Sequence, residues 1–313
     1  MNILQSIVLG IIQGITEFFP ISSSGHLVIF PYFFNWDNVP LYFIVTVHFA
    51  TLASVVTIFY KEIFRIIKAV ILGIFIRKQR VSGNFKIGIF LIIASIPAAA
   101  AGFFLDDYVE SLFSKPILVA VFLLATALFL WLGELRGRHI EAGIINSKDS
   151  PGDKYSYSGS KEDKGDVLIG EIDLNESGIK KLKFNFFIAA VTGIGQALAI
   201  FPGISRSGAT ISFSRFFGIK RSEAVKFSFL MSVPIIFGSF AFELYRSSGI
   251  IFENGTGVIQ SLAAGFLSSY LAGLFAIKFI VYLTRKKNLN VFAIYCICLA
   301  AAVFIFFMIN RFI

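Results

Sequence analysis

The sequence predicts an all-α polytopic membrane protein with an inverted-topology repeat. Each half is a re-entrant helical hairpin followed by three transmembrane helices. Three observations carry this prediction. First, 56% of the 313 residues are hydrophobic and 15% are charged, with a mean hydropathy of +0.79. Soluble domains rarely hold so much apolar content, and long uncharged runs belong to the bilayer. Second, six apolar runs are long enough to span, while two are short and broken in the middle. Third, those two broken runs share a pattern at a constant spacing.

The chain opens on a helix expected from Ile3 to Phe18, about 16 residues and roughly 24 Å at 1.5 Å per residue. Pro20 and the Ser22-Ser23-Ser24-Gly25 cluster break it, and the apolar piece from Leu27 to Phe34 is shorter still. Neither half crosses about 30 Å of hydrocarbon, so the pair reads as a hairpin that enters and leaves on one side. No basic region precedes the first apolar stretch, so it is expected to stay rather than to be cleaved as a signal peptide. Three spans follow near Leu41–Tyr60, Ile87–Leu105 and Pro116–Leu135. Residues 139–183 are rich in Asp, Glu, Lys, Ser and Gly and read as a solvated loop without a core of its own. Phe184 to Phe201 is the second short run, broken at Pro202-Gly203 and followed by a piece to Phe217. Spans near Ala224–Tyr245, Val258–Thr284 and Val291–Ile309 complete the chain.

A shift of 183 positions superposes the hairpins: Gly10 falls on Gly193, Gln13 on Gln196, Phe18 on Phe201, and Ser22, Ser24 and Gly25 on Ser205, Ser207 and Gly208. The expected organisation is a single membrane domain over 1–313, with repeats at 1–138 and 184–313 around a cytoplasmic loop at 139–183. Three spans per half is odd, so the second half enters from the opposite face, and sites in such repeats lie near the midplane between broken helices.

Loop charge sets the orientation. Lys61, Arg65, Arg77, Lys78, Arg80, Arg136, Arg138, Lys220, Arg221 and Arg285 gather on one side. Asp37, then Asp106, Asp107 and Glu110 with Lys115, then Arg246 and Glu253, lie on the other. The positive-inside rule puts the first group in the cytoplasm, so both termini and the mouth of the first hairpin face outward. The same rule accounts for the net charge of +9, and no nucleic-acid partner is expected. Cys296 and Cys298, at i and i+2 on a helix, point to different faces and suit neither a disulfide nor a metal pair.

A carboxylate in an apolar run costs about 2.5–3.5 kcal/mol on insertion scales, so the polar hairpin residues call for a reason. Gln13 and Glu17 are four apart on one helix face and could together hold a hard cation through oxygen. The alternative is a Glu17 buried by hydrogen bonds. Ser22, Ser23, Ser24 and Gly25 follow the helix-breaking proline and open a new helix, where backbone N–H groups bind phosphate. A serine there can act as nucleophile with His26 as base or acid, or the serines can simply cap the helix. Ser205, Arg206, Ser207 and Thr210 form the second tip. An arginine at membrane depth needs an anionic partner, either phosphate, which its planar fork suits, or Glu17. His48 and Glu243 are weaker candidates, one a helix residue in a span and the other near a span end.

Gln13-Gly-Ile-Thr-Glu-Phe-Phe-Pro-Ile-Ser-Ser-Ser-Gly-His26 resembles the (E/Q)xxxE–SSxGH signature of the bacterial undecaprenyl-diphosphatases of the bacitracin-resistance type. Pro202-Gly-Ile-Ser-Arg-Ser-Gly-Ala-Thr210 resembles their second signature, PGxSRSGxT. The resemblance covers nearly all of the chain outside the 139–183 loop. It implies a multi-pass enzyme of the bacterial inner membrane that hydrolyses undecaprenyl diphosphate to undecaprenyl phosphate and phosphate on the outer face. That reaction would recycle the lipid carrier for peptidoglycan and other wall polymers and confer bacitracin resistance. It implies a divalent cation, Mg²⁺ or Ca²⁺, held by Glu17 and Gln13. It also implies functional positions at Glu17, Ser22, Ser23, His26 and Arg206. Ser23 is the expected nucleophile with His26 as its base and then acid, and the rival is direct attack by a metal-activated water with Ser23 only a donor. Ser22, Ser24, Gly25, Ser205, Ser207 and Thr210 are expected around the diphosphate. Two departures stand out: Gln13 replaces a carboxylate, which the signature permits, and His48 stands where well-known members carry glutamine. The partners are membrane lipids and the polyprenyl diphosphate, and a homodimer is compatible with this reading. A transporter or flippase without chemistry is the competing class, since inverted repeats with broken helices are common in transporters.

Overall fold

The computed structural model describes residues 1–147, 184–253, 255–286 and 288–312. Ten α-helices and one 3₁₀ turn make up the described architecture, with no strand among the described residues. In chain order they are α1 (Ile3–Thr16), α2 (Ser23–Phe33), α3 (Leu41–Phe75), α4 (Gly83–Leu112), α5 (Pro116–Ser147), α6 (Phe186–Leu198), α7 (Arg206–Phe216), α8 (Arg221–Glu253), α9 (Gly255–Lys286) and α10 (Asn290–Phe312). Six of them are long and apolar enough to cross a membrane, while α1 and α6 are short apolar helices. At 1.5 Å per residue α1 and α6 reach only about 20 Å. Large apolar side chains such as Phe103, Phe104 and Phe275 stand exposed, which suits contact with lipid rather than water.

The helix bounds follow the repeat spacing. α1 and α6 both start one residue after an asparagine cap, Asn2 and Asn185. α2 and α7 both start after a serine cap, Ser22 and Ser205, whose hydroxyl accepts from the glycine three residues on. A side-chain acceptor at that position satisfies one of the four N–H groups that a helix start leaves unpaired. Each short helix packs on the far half of the chain: α1 against α9, and α6 against α4. Small residues make this close approach possible, as in many membrane helix pairs. A Cβ on Gly14 would sit 2.4 Å from the Ser269 carbonyl oxygen, and one on Gly193 would sit 2.6 Å from that of Ala94.

Several span ends lie beyond the sequence reading: α4 runs on to Leu112 past the expected Leu105, and α8 to Glu253 past Tyr245. α3 runs on to Phe75, past the expected end at Tyr60, with a kink where Phe59 takes φ −107° and ψ 21°. The residues beyond it alternate basic and apolar, so the helix continues as an amphipathic extension. α5 likewise continues to Ser147, so residues 139–147 are helical rather than loop. The rest of the polar loop lies outside the described residues. Cys296 is buried and Cys298 exposed, as expected of different faces.

At the basic end, buried Glu134 of α5 accepts from Arg221 Nε and Nη2 of α8, both at 2.8 Å. Arg215 of α7 lies 3.9 Å from the same carboxylate. This clamp ties α5, α7 and α8 together far along the spans from the hairpin tips.

Candidate active site

The two hairpin tips meet. Ser22 takes φ +69°, a left-handed conformation that costs a non-glycine residue energy. Its hydroxyl compensates by accepting from two amides, Gly25 N–H at 3.2 Å in its own tip and Gly203 N–H at 3.1 Å in the other. Ser207 Oγ donates back to the Phe19 carbonyl at 3.2 Å. Thr126 of α5 holds the second tip from outside: its hydroxyl donates to the Gly203 carbonyl and accepts from Ser205 N–H, both at 2.9 Å. Gly203 needs to be glycine, with φ +106° and the Val119 carbonyl oxygen 2.4 Å from where a Cβ would stand.

Glu17 lies at the centre. Ser23 Oγ donates to its Oε2 at 2.5 Å, and Gln13 Nε2 donates to the same oxygen at 3.0 Å. Arg206 Nη2 donates to Oε1 at 2.7 Å, while Arg206 Nη1 donates to the Ser228 carbonyl of α8 at 3.1 Å. His48 Nε2 stands 3.5 Å from Oε2. The carboxylate is only 5% exposed and the arginine 13%. A buried carboxylate therefore bridges a serine hydroxyl and a guanidinium: Glu17 and Arg206 pair with each other, and both line one cavity.

That cavity has a volume of about 490 Å³. Glu17, Ser23, Ser24, Ser205, Arg206, His48 and Gln196 line its polar end, and Phe103, Ile235 and Phe242 contribute to its apolar walls. Asp106 and Glu243 also face it. Ser23 and Arg206 are the first residues of α2 and α7, so both helices start at the cavity and present their positive dipole ends and first N–H groups there. Arg246 of α8 ties the acidic rim to α4 through Asp106 at 2.7 Å and Glu110 at 2.9 Å.

Several expected residues are placed differently. His26 is buried, with Nδ1 2.7 Å from the Ser22 carbonyl and Nε2 2.8 Å from the Tyr295 hydroxyl of α10. The carbonyl accepts from Nδ1–H, so Nε2 accepts from the tyrosine, and both ring nitrogens are occupied. The group bonded to the Ser23 hydroxyl is Glu17, not His26. Thr210 bonds Ser228 Oγ at 2.7 Å and the Arg206 carbonyl at 2.8 Å, and so braces the second tip. Ser22, Gly25 and Ser207 likewise build the tips rather than line the cavity. Gln196 joins the lining, and the 183-residue match to Gln13 was its signal in the sequence. Thr126 and Tyr295 sit in apolar spans with no motif around them, whereas Ser228 lies in the stretch Phe227-Ser-Phe-Leu-Met-Ser-Val-Pro234 that the family resemblance also covers.

No group of three or more His, Cys, Asp or Glu side chains converges to hold a metal among the described residues. The donors fit a cation in part: the Glu17 carboxylate reaches the cavity, and Gln13 Oε1 is buried without a hydrogen-bond partner. Two protein oxygens suffice for Mg²⁺ when substrate phosphates and water complete its shell.

Residues 6–302 match the family model described as bacitracin resistance protein BacA. Among curated relatives, an undecaprenyl-diphosphatase of Christiangramia forsetii is 36% identical over 310 residues, covering 98% of each chain. One of Caldicellulosiruptor bescii is 35% identical, covering 99% of each chain. One of Moorella thermoacetica is also 35% identical, covering 99% of this chain and 100% of its own.

Proposed function

The chain belongs to the bacitracin resistance protein BacA family, and from that premise we propose how its residues carry the family's reaction. The protein is a multi-pass membrane phosphatase that removes the terminal phosphate of undecaprenyl diphosphate and so recycles the lipid carrier for wall polymers.

Ser23 is the nucleophile. Its oxygen attacks the terminal phosphorus, its proton passes to Glu17, and the bridging P–O bond breaks to release undecaprenyl phosphate. Glu17 hands that proton to the departing lipid phosphate. Water then attacks the phosphoserine, and Glu17 takes the water proton and returns it to Ser23 Oγ as the Oγ–P bond breaks and phosphate leaves. The single observation behind this reading is the 2.5 Å bond from Ser23 Oγ to Glu17 Oε2 at the wall of the cavity. Arg206 exchanges Glu17 for the diphosphate oxygens as substrate enters, and the N-termini of α2 and α7 add donors where charge develops. His26 acts at one remove, by fixing the Ser22 carbonyl and hence the start of α2. Glu17 with Gln13 Oε1 would hold the divalent cation, Mg²⁺ or Ca²⁺, and such an ion supplies charge neutralisation at the phosphate oxygens. The prenyl chain lies along the apolar cavity wall and out to lipid.

The mouth faces the outer side of the membrane. Support comes from Asp106 and Glu243 at the cavity, opposite in the spans to Lys61, Arg65, Arg77 and Arg80. The halves form an inverted repeat. Support for that comes from the matched caps and from the reciprocal packing of α1 on α9 and α6 on α4.

Purified protein should release phosphate from a long prenyl diphosphate. Rapid quench with a labelled terminal phosphate should trap a phosphoserine that is absent from Ser23→Ala. Full turnover by Ser23→Ala, or turnover by wild type with no phosphoserine at any quench time, would reject the serine as nucleophile.

A further inference from the structure

His48 carries chemistry that the proposed reaction leaves unused. Its Nδ1 lies 2.8 Å from the Ile44 carbonyl one turn back on α3. A carbonyl only accepts, so Nδ1 carries a proton, and in the neutral ring the lone pair sits on Nε2. That lone pair faces Glu17 Oε2 at 3.5 Å. An imidazole lone pair and a carboxylate oxygen repel each other at that range unless a positive centre joins them. The ring is 22% exposed and lines the cavity, so a cation from solution can reach the gap. An imidazole whose other nitrogen is fixed by a backbone carbonyl is also the usual posture of a metal-ligating histidine.

We propose that His48 Nε2 and Glu17 Oε2 are two ligands of a single divalent-cation site, and that the nitrogen ligand turns its preference from Mg²⁺ and Ca²⁺ toward Mn²⁺, Co²⁺ and Zn²⁺. The inference rests on the reading of Glu17 as the cation-holding carboxylate. An all-oxygen set suits the hard ions, whereas imidazole raises affinity for first-row transition metals. Arg206 occupies Oε1, and the metal takes Oε2 in place of the Gln13 amide that donates there at 3.0 Å, leaving the Ser23 bond in place. The remaining positions open onto the cavity, where water or phosphate oxygens complete the shell.

The test is direct binding of Mn²⁺ to the purified, chelator-stripped protein, read by pulsed electron paramagnetic resonance for nitrogen coupled to the metal. Wild type should show the coupling of a directly bound imidazole nitrogen. His48→Gln should lose it and bind Mn²⁺ about tenfold or more weakly, with a smaller change for Mg²⁺. A wild-type spectrum with bound Mn²⁺ and no nitrogen coupling overturns the inference without any variant, and leaves a proton as the centre between the two groups. Coupling that persists in His48→Gln places the nitrogen on one of the other two histidines and overturns it equally. Glu17→Gln separates this failure from that of the parent reading. Undiminished Mn²⁺ binding in Glu17→Gln rejects Glu17 as a cation ligand altogether. Binding lost there, with no nitrogen coupling in wild type, rejects His48 alone.

Discussion

Replacing Arg206 with alanine separates its structural role from its chemical one. Its guanidinium lies 2.7 Å from Glu17 Oε1 and 3.1 Å from the Ser228 carbonyl. Alanine leaves a carboxylate that is 5% exposed without its strongest partner, and breaking a buried pair on one side costs about 3–5 kcal/mol. It also removes the donor that stabilises transferred phosphoryl charge, for which losses of about 10²–10³ are typical and up to roughly 10⁵ in phosphoryl transfer. Adding Glu17→Gln to Arg206→Ala leaves no charge buried, so the double variant should melt higher in detergent than Arg206→Ala alone. Phosphate release should stay absent, because neither group is restored. Arg206→Lys should fall between, since an ammonium holds Glu17 but cannot span to the Ser228 carbonyl. Phosphate release from a long prenyl diphosphate and thermal melting, measured on all four proteins, read the two roles apart. If Arg206→Ala keeps phosphate release within about threefold of wild type, less than 1 kcal/mol of barrier, the arginine is only a partner for Glu17 and the phosphate assignment fails.

Three further outcomes follow from the same geometry. Ser22→Ala leaves two amides without their acceptor, about 1–3 kcal/mol each if they stay dry; it should lower melting while still forming phosphoserine at Ser23, and unchanged melting would count against the shared-tip arrangement. Gly203→Ala should fail to accumulate as folded protein, because its Cβ meets the Val119 carbonyl oxygen, whereas Gly238→Ala, with nothing within 4 Å, should be neutral; equal yields would refute the packing reason. A membrane-impermeant thiol reagent added to intact cells should label a cysteine at Asp37 and not one at Gln79, and the reverse pattern would invert the proposed orientation.

The hairpins and most span starts were legible because the signals are local. Proline, serine clusters and run length set the short helices, and the 183-residue spacing exposed both tips. Glu17, Ser23 and Arg206 could be chosen as a group because polar atoms at membrane depth need partners. The partner of each atom was not legible. His26 sits three residues from Ser23, yet the start of α2 turns it toward Tyr295, 269 residues away in the chain. Thr126 gave no warning, since one hydroxyl in an apolar span leaves no trace in composition. The overrun of α3 past Tyr60 escaped because charge marks where a span ends, not where a helix does.

The packing of α1 on α9 has a consequence for biogenesis. The ribosome finishes α1 at Thr16 but does not start its supporting helix until Gly255, roughly 240 residues later. At about 5–20 residues per second the interval is on the order of ten to fifty seconds. For roughly the first 190 of those residues, Glu17 lacks Arg206 and Ser22 lacks the Gly203 amide. A short helix that ends in an unpaired carboxylate is costly to hold in hydrocarbon, so the first hairpin is expected to reach full depth only once the second hairpin and α9 are made. The segment made first is therefore among the last to reach its final depth.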